Sequence, residues 1–482
     1  MSIGRHTAYN LAGAAVPIVI GLVTVPAYLH VIGGDRYGVL SIAWLILGYF
    51  GLFDLGLGRA TAQRMAALQG DSPVERANIF WMAVSLNLAM GLVGMALLWP
   101  AGWYFFAHSL KTSDALRGEA LAALPLLAAS VPLATTMGVL TGALQARSRF
   151  LEINVASVVT TTLLQVSPLC VALLWGPNLL LLIGAAFTSR VVALLYLWWQ
   201  CSKHVISGAP FRLDRTQSRH LLSYGGWVTL AAFFGPILVI VDRFVIGTML
   251  GALAVALYTI PFQLAQRISI IPTALTTALF PRLAAERDGG AQLEGQAIAA
   301  LLTIMTPIVM GIILVMSPFF ELWVGHAVAE KAALVGKVIA LGYWANALAL
   351  VPFSTLQARG RPDLVAYTLL LQVLPYLIGL YLGLRYGGLV GAAAAFSIRC
   401  LVDYFLLSLA SGLQTRPVVI SAALAALVGA TVLSERLIFP APAWWLAAVA
   451  CFAASLVIAA IACPPVLAAR LPQSARLRAL FK

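Results

Sequence analysis

Apolar residues run along this chain in blocks of about 20, divided by short polar or basic turns. Fourteen such blocks lie near 8–32, 38–58, 79–105, 119–144, 153–175, 179–200, 221–248, 252–281, 296–324, 332–356, 363–384, 388–411, 417–434 and 443–463. Each is long enough to cross the hydrocarbon as a helix, and they are numbered here as spans 1 to 14. No period-two alternation of a barrel is present, and an open sheet edge cannot be satisfied in lipid. The pattern therefore predicts an all-α integral membrane protein. Residues 1–7 carry one Arg and lead straight into span 1 with no small-residue cleavage site, so span 1 is expected to be a retained helix rather than a cleaved signal peptide.

The blocks are organised as a repeat. Leu144-Gln145-Ala146-Arg147-Ser148-Arg149 returns 212 residues later as Leu356-Gln357-Ala358-Arg359-Gly360-Arg361. At nearly the same offset, Ala185-Ala186-Phe187-Thr188-Ser189-Arg190 is echoed by Ala394-Ala395-Phe396-Ser397-Ile398-Arg399. The first pair closes spans 4 and 10; the second lies within spans 6 and 12. This predicts an N-terminal six-helix lobe over 1–200, a cytoplasmic linker at 201–220 and a second six-helix lobe over 221–411. Residues 412–482 then hold spans 13 and 14 and a basic tail. An even repeat keeps the same orientation in both halves, so the lobes should be related by an axis along the membrane normal.

Composition agrees with lipid as the solvent: 61% of the 482 residues are apolar, 10% are charged, and mean hydropathy is +0.95. The net charge of +13 would suggest nucleic acid in a soluble protein. Here it reflects membrane topology, because an inward N-terminus places nineteen Lys/Arg on inner segments and six on outer ones. Both termini should then be cytoplasmic. The five cysteines show no CxxC or ligand-like spacing, the six histidines are scattered, and no Walker A motif occurs. Neither a metal site, a cofactor, an enzyme centre nor ATP hydrolysis is expected.

Five bases, Arg190, Arg243, Arg267, Lys337 and Arg399, and four acids, Asp54, Asp242, Glu321 and Asp403, remain inside the spans. A charge at mid-bilayer costs about 2.5–3.5 kcal/mol even on the lenient insertion scale, so each should face a cavity or a partner. Arg190 lies eleven residues beyond Leu179, roughly 16 Å deep, with no acid at 186, 187, 193 or 194. Arg399 has Asp403 one turn on, in register for a self-neutralised pair. Arg267 follows Gln263 by one turn between Pro261 and Pro272, a polar stripe on a kinked helix. Asp242 and Arg243 are adjacent and should point in different directions, unable to pair face to face, in the outer third of span 7. Glu321 and Lys337 should sit near the outer surface, while Asp54 and Arg59 end span 2 at the inner surface.

Three stretches carry a family resemblance: Gly33-Gly34-Asp35-Arg36-Tyr37-Gly38, then Phe53-Asp54-Leu55-Gly56-Leu57-Gly58-Arg59, then Val241-Asp242-Arg243-Phe244-Val245-Ile246-Gly247 with Leu250-Gly251 and Tyr258. Over spans 1–12 the chain resembles the Wzx-like flippases of lipid-linked oligosaccharides, in the superfamily that also holds multidrug extruders and lipid II flippases. The resemblance implies a V-shaped transporter whose two bundles rock around a central cavity in the bacterial inner membrane. It also implies a polyprenyl-diphosphate-linked glycan as cargo, destined for surface polysaccharide such as O-antigen, with a polymerase or ligase as possible partners. Arg suits a diphosphate because its fork binds bidentately and keeps its charge when buried. The candidate substrate-binding set is Arg59, Arg190, Gln263, Arg267, Asp242, Arg243 and Arg399, with Arg267, Arg190 and Arg59 expected to line the cavity.

Departures from relatives matter too. Residues 8–32 hold no Lys or Arg, unlike lipid II flippases, and no carboxylate of the kind multidrug extruders often use there. An ion-coupled multidrug exporter remains the alternative. A membrane polysaccharide polymerase would need catalytic acids or His on a substantial outer loop, and 106–118 offers His108 and Asp114.

Overall fold

A computed structural model describes residues 3–49, 65, 73–147, 149–206, 238, 240–285, 290–413, 417–437 and 441–464. Among these residues the chain is helical throughout, with no strand, and ten helices are long and apolar enough to cross a membrane. The protein is a multi-pass membrane protein. Residues 50–58 of span 2 and 221–237 of span 7 lie outside the described residues, and spans 11 and 12 run together, so ten spans are delimited among the described residues where fourteen were expected.

The helices are α1 (Ile3–Tyr49), α2 (Pro73–Tyr104), α3 (Asp114–Ala146), α4 (Phe150–Trp175), α5 (Leu179–Cys201), α6 (240–249) and α7 (Ala252–Gln266). They continue as α8 (Ile270–Ala285), α9 (Gly290–Val324), α10 (His326–Ala358), α11 (Pro362–Ser411), α12 (Pro417–Arg436) and α13 (Pro442–Ala462). Two of these are hairpins of helices joined through a glycine: α1 turns at Gly33 (φ 78°) and α11 at Gly388 (φ 56°). Left-handed φ is open to glycine at little cost, so the chain reverses there without a loop. Spans 1 and 2, and spans 11 and 12, are thereby merged.

The repeated LQAR turns have matching backbones. Arg147 caps α3 at φ −91°, ψ 8°, and Arg359 caps α10 at φ −78°, ψ 2°. In both, the residue two beyond the cap donates its backbone N–H to the repeat's leading Leu: Arg149 to Leu144 at 3.0 Å and Arg361 to Leu356 at 2.9 Å. Each is followed by an acid in the first turn of the next helix, Glu152 at 3.4 Å from Arg149 and Asp363 at 3.0 Å from Arg361. An acid there complements the helix N-terminal dipole.

The chain divides into two compact units, Met1–Ala256 and Leu257–Lys482. In the first, α2 packs on α3, α3 on α5, α4 on α5, and α1 on α4. In the second, α10 is central, packing on α9, α11 and α8, while α9 carries α13 and α13 carries α12. The boundary by packing falls at 256/257, whereas residues 207–220 of the expected linker lie outside the described residues. Within the helices, hydroxyls such as Ser130, Thr136, Thr160 and Thr355 donate back to the carbonyl four residues earlier, which satisfies them without water.

Candidate functional site

Gln263 and Arg267 lie on an exposed face of the second unit. They are joined there by Gln266, Thr273 and Thr277, at the three-to-four-residue spacing that keeps side chains on one face. The opposite face, with Tyr258, Ile260, Phe262, Ala265 and Ile268, is buried. Between α7 and α8 the helix tightens to 3-10 geometry over Arg267–Ser269, just before Pro272, whose missing N–H cannot continue the ladder. The expected polar stripe on a distorted helix is therefore present, and it is longer than the two residues that announced it.

Behind the stripe, Phe262 meets Tyr343 of α10 at 5.5 Å and Phe396 of α11 at 5.1 Å between ring centroids. Small residues make this approach possible: a β-carbon on Gly336 would reach Pro261 at 2.9 Å, and one on Gly342 would reach Phe396 at 2.8 Å. Phe396 also carries Arg399, whose guanidinium carbon stands 5.4 Å from its ring and 5.6 Å from that of Tyr376. Both are cation–π distances. Arg399 further donates to Cys400 Sγ at 3.4 Å.

The self-neutralised pair expected of Arg399 and Asp403 is not formed within 4.0 Å. Asp403 instead accepts from Gln372 Nε2 at 2.7 Å, across the α11 hairpin. Helical register brings Arg399 and Asp403 to one face, but the aromatic rings hold the guanidinium and the amide takes the carboxylate. Arg190, the repeat mate, is also buried, and both residues are 9% exposed. Beside Arg190, the Ser189 hydroxyl meets that of Ser167 on α4 at 2.8 Å.

Asp242 and Arg243 correct a second expectation. Arg243 folds back so that Nη1 meets Asp242 Oδ1 at 2.7 Å, and the same oxygen accepts the Arg243 backbone N–H at 2.8 Å. Adjacent positions diverge at Cβ, but the arginine stem is long enough to return. Both residues are buried, at 0% and 2% exposure. Lys337 is fully buried as well, with Nζ 2.9 Å from Ser434 Oγ and 2.5 Å from Glu435 Oε1 of α12. Glu321 is exposed and meets His326 at 3.2 Å. Arg59 and Asp54 lie outside the described residues.

One charge escaped the sequence reading. Glu294, placed in a polar connection, is wholly buried near the start of α9, 3.5 Å from Arg359 Nη2. Arg359 also donates to the Ser411 carbonyl at 2.7 Å, so one guanidinium ties the ends of α9, α10 and α11. The repeat marked Arg359, but no spacing rule pointed to Glu294. In the first unit, Arg36 grips Glu119 of α3 with Nε at 3.2 Å and Nη2 at 2.7 Å. Those hydrogen bonds hold the Arg36 guanidinium above its ordinary pKa despite partial burial. Glu119 also accepts the Leu179 N–H at the start of α5, at 3.1 Å.

Among known proteins, a candidate O-antigen transporter of Shigella flexneri is 27% identical over 412 residues, covering 84% of this chain and 97% of that protein. The fold is similar to that of the lipid II flippase MurJ in an inward closed conformation, with a TM-score of 0.75 at 12% identity, covering 99% of this chain and 100% of the other. It is also similar to an inward-facing multidrug resistance transporter of the MATE family in the MOP superfamily, with a TM-score of 0.69 at 16% identity over 86% of this chain and 98% of that one. The helical transporter fold is thus shared with flippases and drug exporters alike. A family model described as polysaccharide biosynthesis protein matches residues 3–285, more than half of the sequence. The chain belongs to the polysaccharide biosynthesis protein family.

Proposed function

We propose that this protein is a flippase that carries a polyprenyl-diphosphate-linked oligosaccharide from the inner to the outer leaflet of the bacterial cytoplasmic membrane by alternating access. It is a transporter rather than an enzyme, and its cargo feeds surface polysaccharide synthesis. The observation that carries this reading is the exposed face of Gln263, Gln266 and Arg267 in a membrane-crossing helix. Lipid cannot solvate that face, so it lines a hydrated cavity. A guanidinium there matches a diphosphate, which needs a positive, wet path through the bilayer. Arg59 and Arg190 are proposed to add to the same field. Family membership and the relation to an O-antigen transporter support the reading.

Drug exporters share the fold, but span 1 lacks a carboxylate to hold a cationic drug. The excess of inner Lys/Arg supports a cytoplasmic side for both termini and the 201–220 segment. A polymerase and a ligase acting on the delivered glycan are the partners this role implies. The six-plus-six lobe division is part of the same proposal.

Substitution of Arg267 tests it. Arg267→Ala should abolish glycan export at near-normal protein level, and Arg267→Lys should restore it in part because the fork is lost. Normal surface glycan in an Arg190→Ala, Arg267→Ala double variant would remove the basis for placing the diphosphate there.

A further inference from the structure

The LQAR turn occurs twice with matching backbones, but its two copies differ in charge. In the second unit each turn arginine meets an acid. Arg359 stands 3.5 Å from Glu294, and Asp363 accepts from Arg361 Nε at 3.1 Å and from its Nη2 at 3.0 Å. In the first unit the turn has one acid, Glu152, at 3.4 Å from Arg149. Arg147 makes no ion pair among the described residues, and both it and Arg149 are exposed.

Further bases are carried to this turn by the far end of α5, which closes in one π turn over Ser202–Ile206. Such turns re-aim the side chains they hold and recur at functional sites. Val205 and Ile206 are buried in the same apolar cluster as Ala143, Leu144 and Ala146, and Cys201 Sγ donates to the Leu140 carbonyl at 3.4 Å. With its apolar side held there, the π turn leaves Lys203 exposed. His204 is half-buried beside it, within electrostatic reach of Lys203, Arg147, Arg149 and Glu152. Lys203 Nζ stands 5.8 Å from the ring centre of Trp199, which is itself exposed. Tryptophan so placed marks the headgroup level of a bilayer.

Arg147, Arg149 and Lys203 thus share the single carboxylate of Glu152 at the depth where lipid phosphates lie. Like charges gathered on packed elements repel one another unless an anion joins them. We propose that the first LQAR turn and the π turn of α5 form a binding site for the phosphate of an anionic membrane lipid. Arg147 and Arg149 supply planar forks that match phosphate oxygens, and Lys203 supplies a point charge. The N-terminus of α4, which begins at the same turn, adds its partial positive charge. A phospholipid headgroup and a polyprenyl diphosphate present the same oxygens, so the site is defined by phosphate on a lipid. The proposed orientation assigns it to the inner leaflet. The Arg267 face has no part in it, and the inference stands without the cargo reading.

The test measures binding of fluorescent short-chain lipids to the purified full chain in detergent. The probes are phosphatidylglycerol, polyprenyl diphosphate and, as the zwitterionic control, phosphatidylcholine. At least one anionic probe should bind several-fold tighter than phosphatidylcholine, and the tighter of the two names the source of the phosphate. Arg147→Gln combined with Lys203→Gln should weaken that binding several-fold, while Arg361→Gln, in the neutral copy of the turn, should leave it unchanged. Glu152→Gln should tighten it by freeing Arg149, a gain that misfolding cannot imitate and that decides the matter if the double variant does not fold. Phosphatidylcholine bound as tightly as both anionic probes overturns the site. So does parental affinity in a folded Arg147→Gln, Lys203→Gln protein, an equal loss in Arg361→Gln, or a Glu152→Gln protein that binds no tighter. No arm reads glycan export, so failure here and failure of the flippase reading are distinguishable.

Discussion

Arg359, the arginine of the second LQAR turn, stands 3.5 Å from a glutamate, Glu294, that has no exposed surface at all. The pair joins the end of α10 to the start of α9, and Arg359 is itself 37% exposed along its side chain. Removing the arginine leaves a buried carboxylate behind. Arg359→Ala should lower stability by about 1–3 kcal/mol, read as a lower unfolding temperature in detergent. Adding Glu294→Gln should recover much of the loss, since the orphaned charge is gone. A double variant no better than the single one would show that the charge is not the cause.

Lys337 and Glu435 form an unequal pair, because the ammonium is fully buried while the carboxylate side chain is 38% exposed. Glu435→Ala therefore strands a buried cation with Ser434 as its remaining partner, at a cost on the order of 3 kcal/mol. Lys337→Met removes the cation and leaves an acid that water can reach, at a cost under about 1 kcal/mol. Thermal unfolding of the two variants should rank them in that order; equal losses would mean the pair is not asymmetric in energy.

Asp403 depends on Gln372 rather than on Arg399 for its hydrogen bond. Gln372→Leu should cost about 1–3 kcal/mol by leaving the carboxylate unsatisfied, whereas Asp403→Asn keeps an acceptor for the same amide and should be milder. Arg399→Met should mainly lower protein abundance, because it removes the cation from its aromatic seat. Expression and unfolding temperature measured together would check all three.

In the α11 hairpin the two arms touch through glycines, and a β-carbon on Gly383 would lie 2.5 Å from the Gly391 carbonyl oxygen. Backbone cannot swing aside as a side chain can. Gly383→Ala should destabilise by about 1–3 kcal/mol through overpacking, while Gly379→Ala, with open space around the new carbon, should be close to neutral. Comparable unfolding temperatures for the two variants would contradict this account of the hairpin.

The helical, membrane-spanning class, the repeated turns at 144–149 and 356–361, and the polar face around Arg267 are all legible in the amino-acid sequence. Each is a local property: lipid demands apolar runs, a turn is set by a few successive residues, and a face follows from helical spacing. Tertiary structure decided who meets whom. Gln372 finds Asp403 across 31 residues, Arg36 finds Glu119 across 83, and Lys337 finds Glu435 across 98. Spacing rules see neighbours on one helix, so they paired Arg399 with Asp403 and separated Asp242 from Arg243. The folded chain did the opposite in both cases, because aromatic rings, amides and the reach of an arginine stem become available only when other helices close around them.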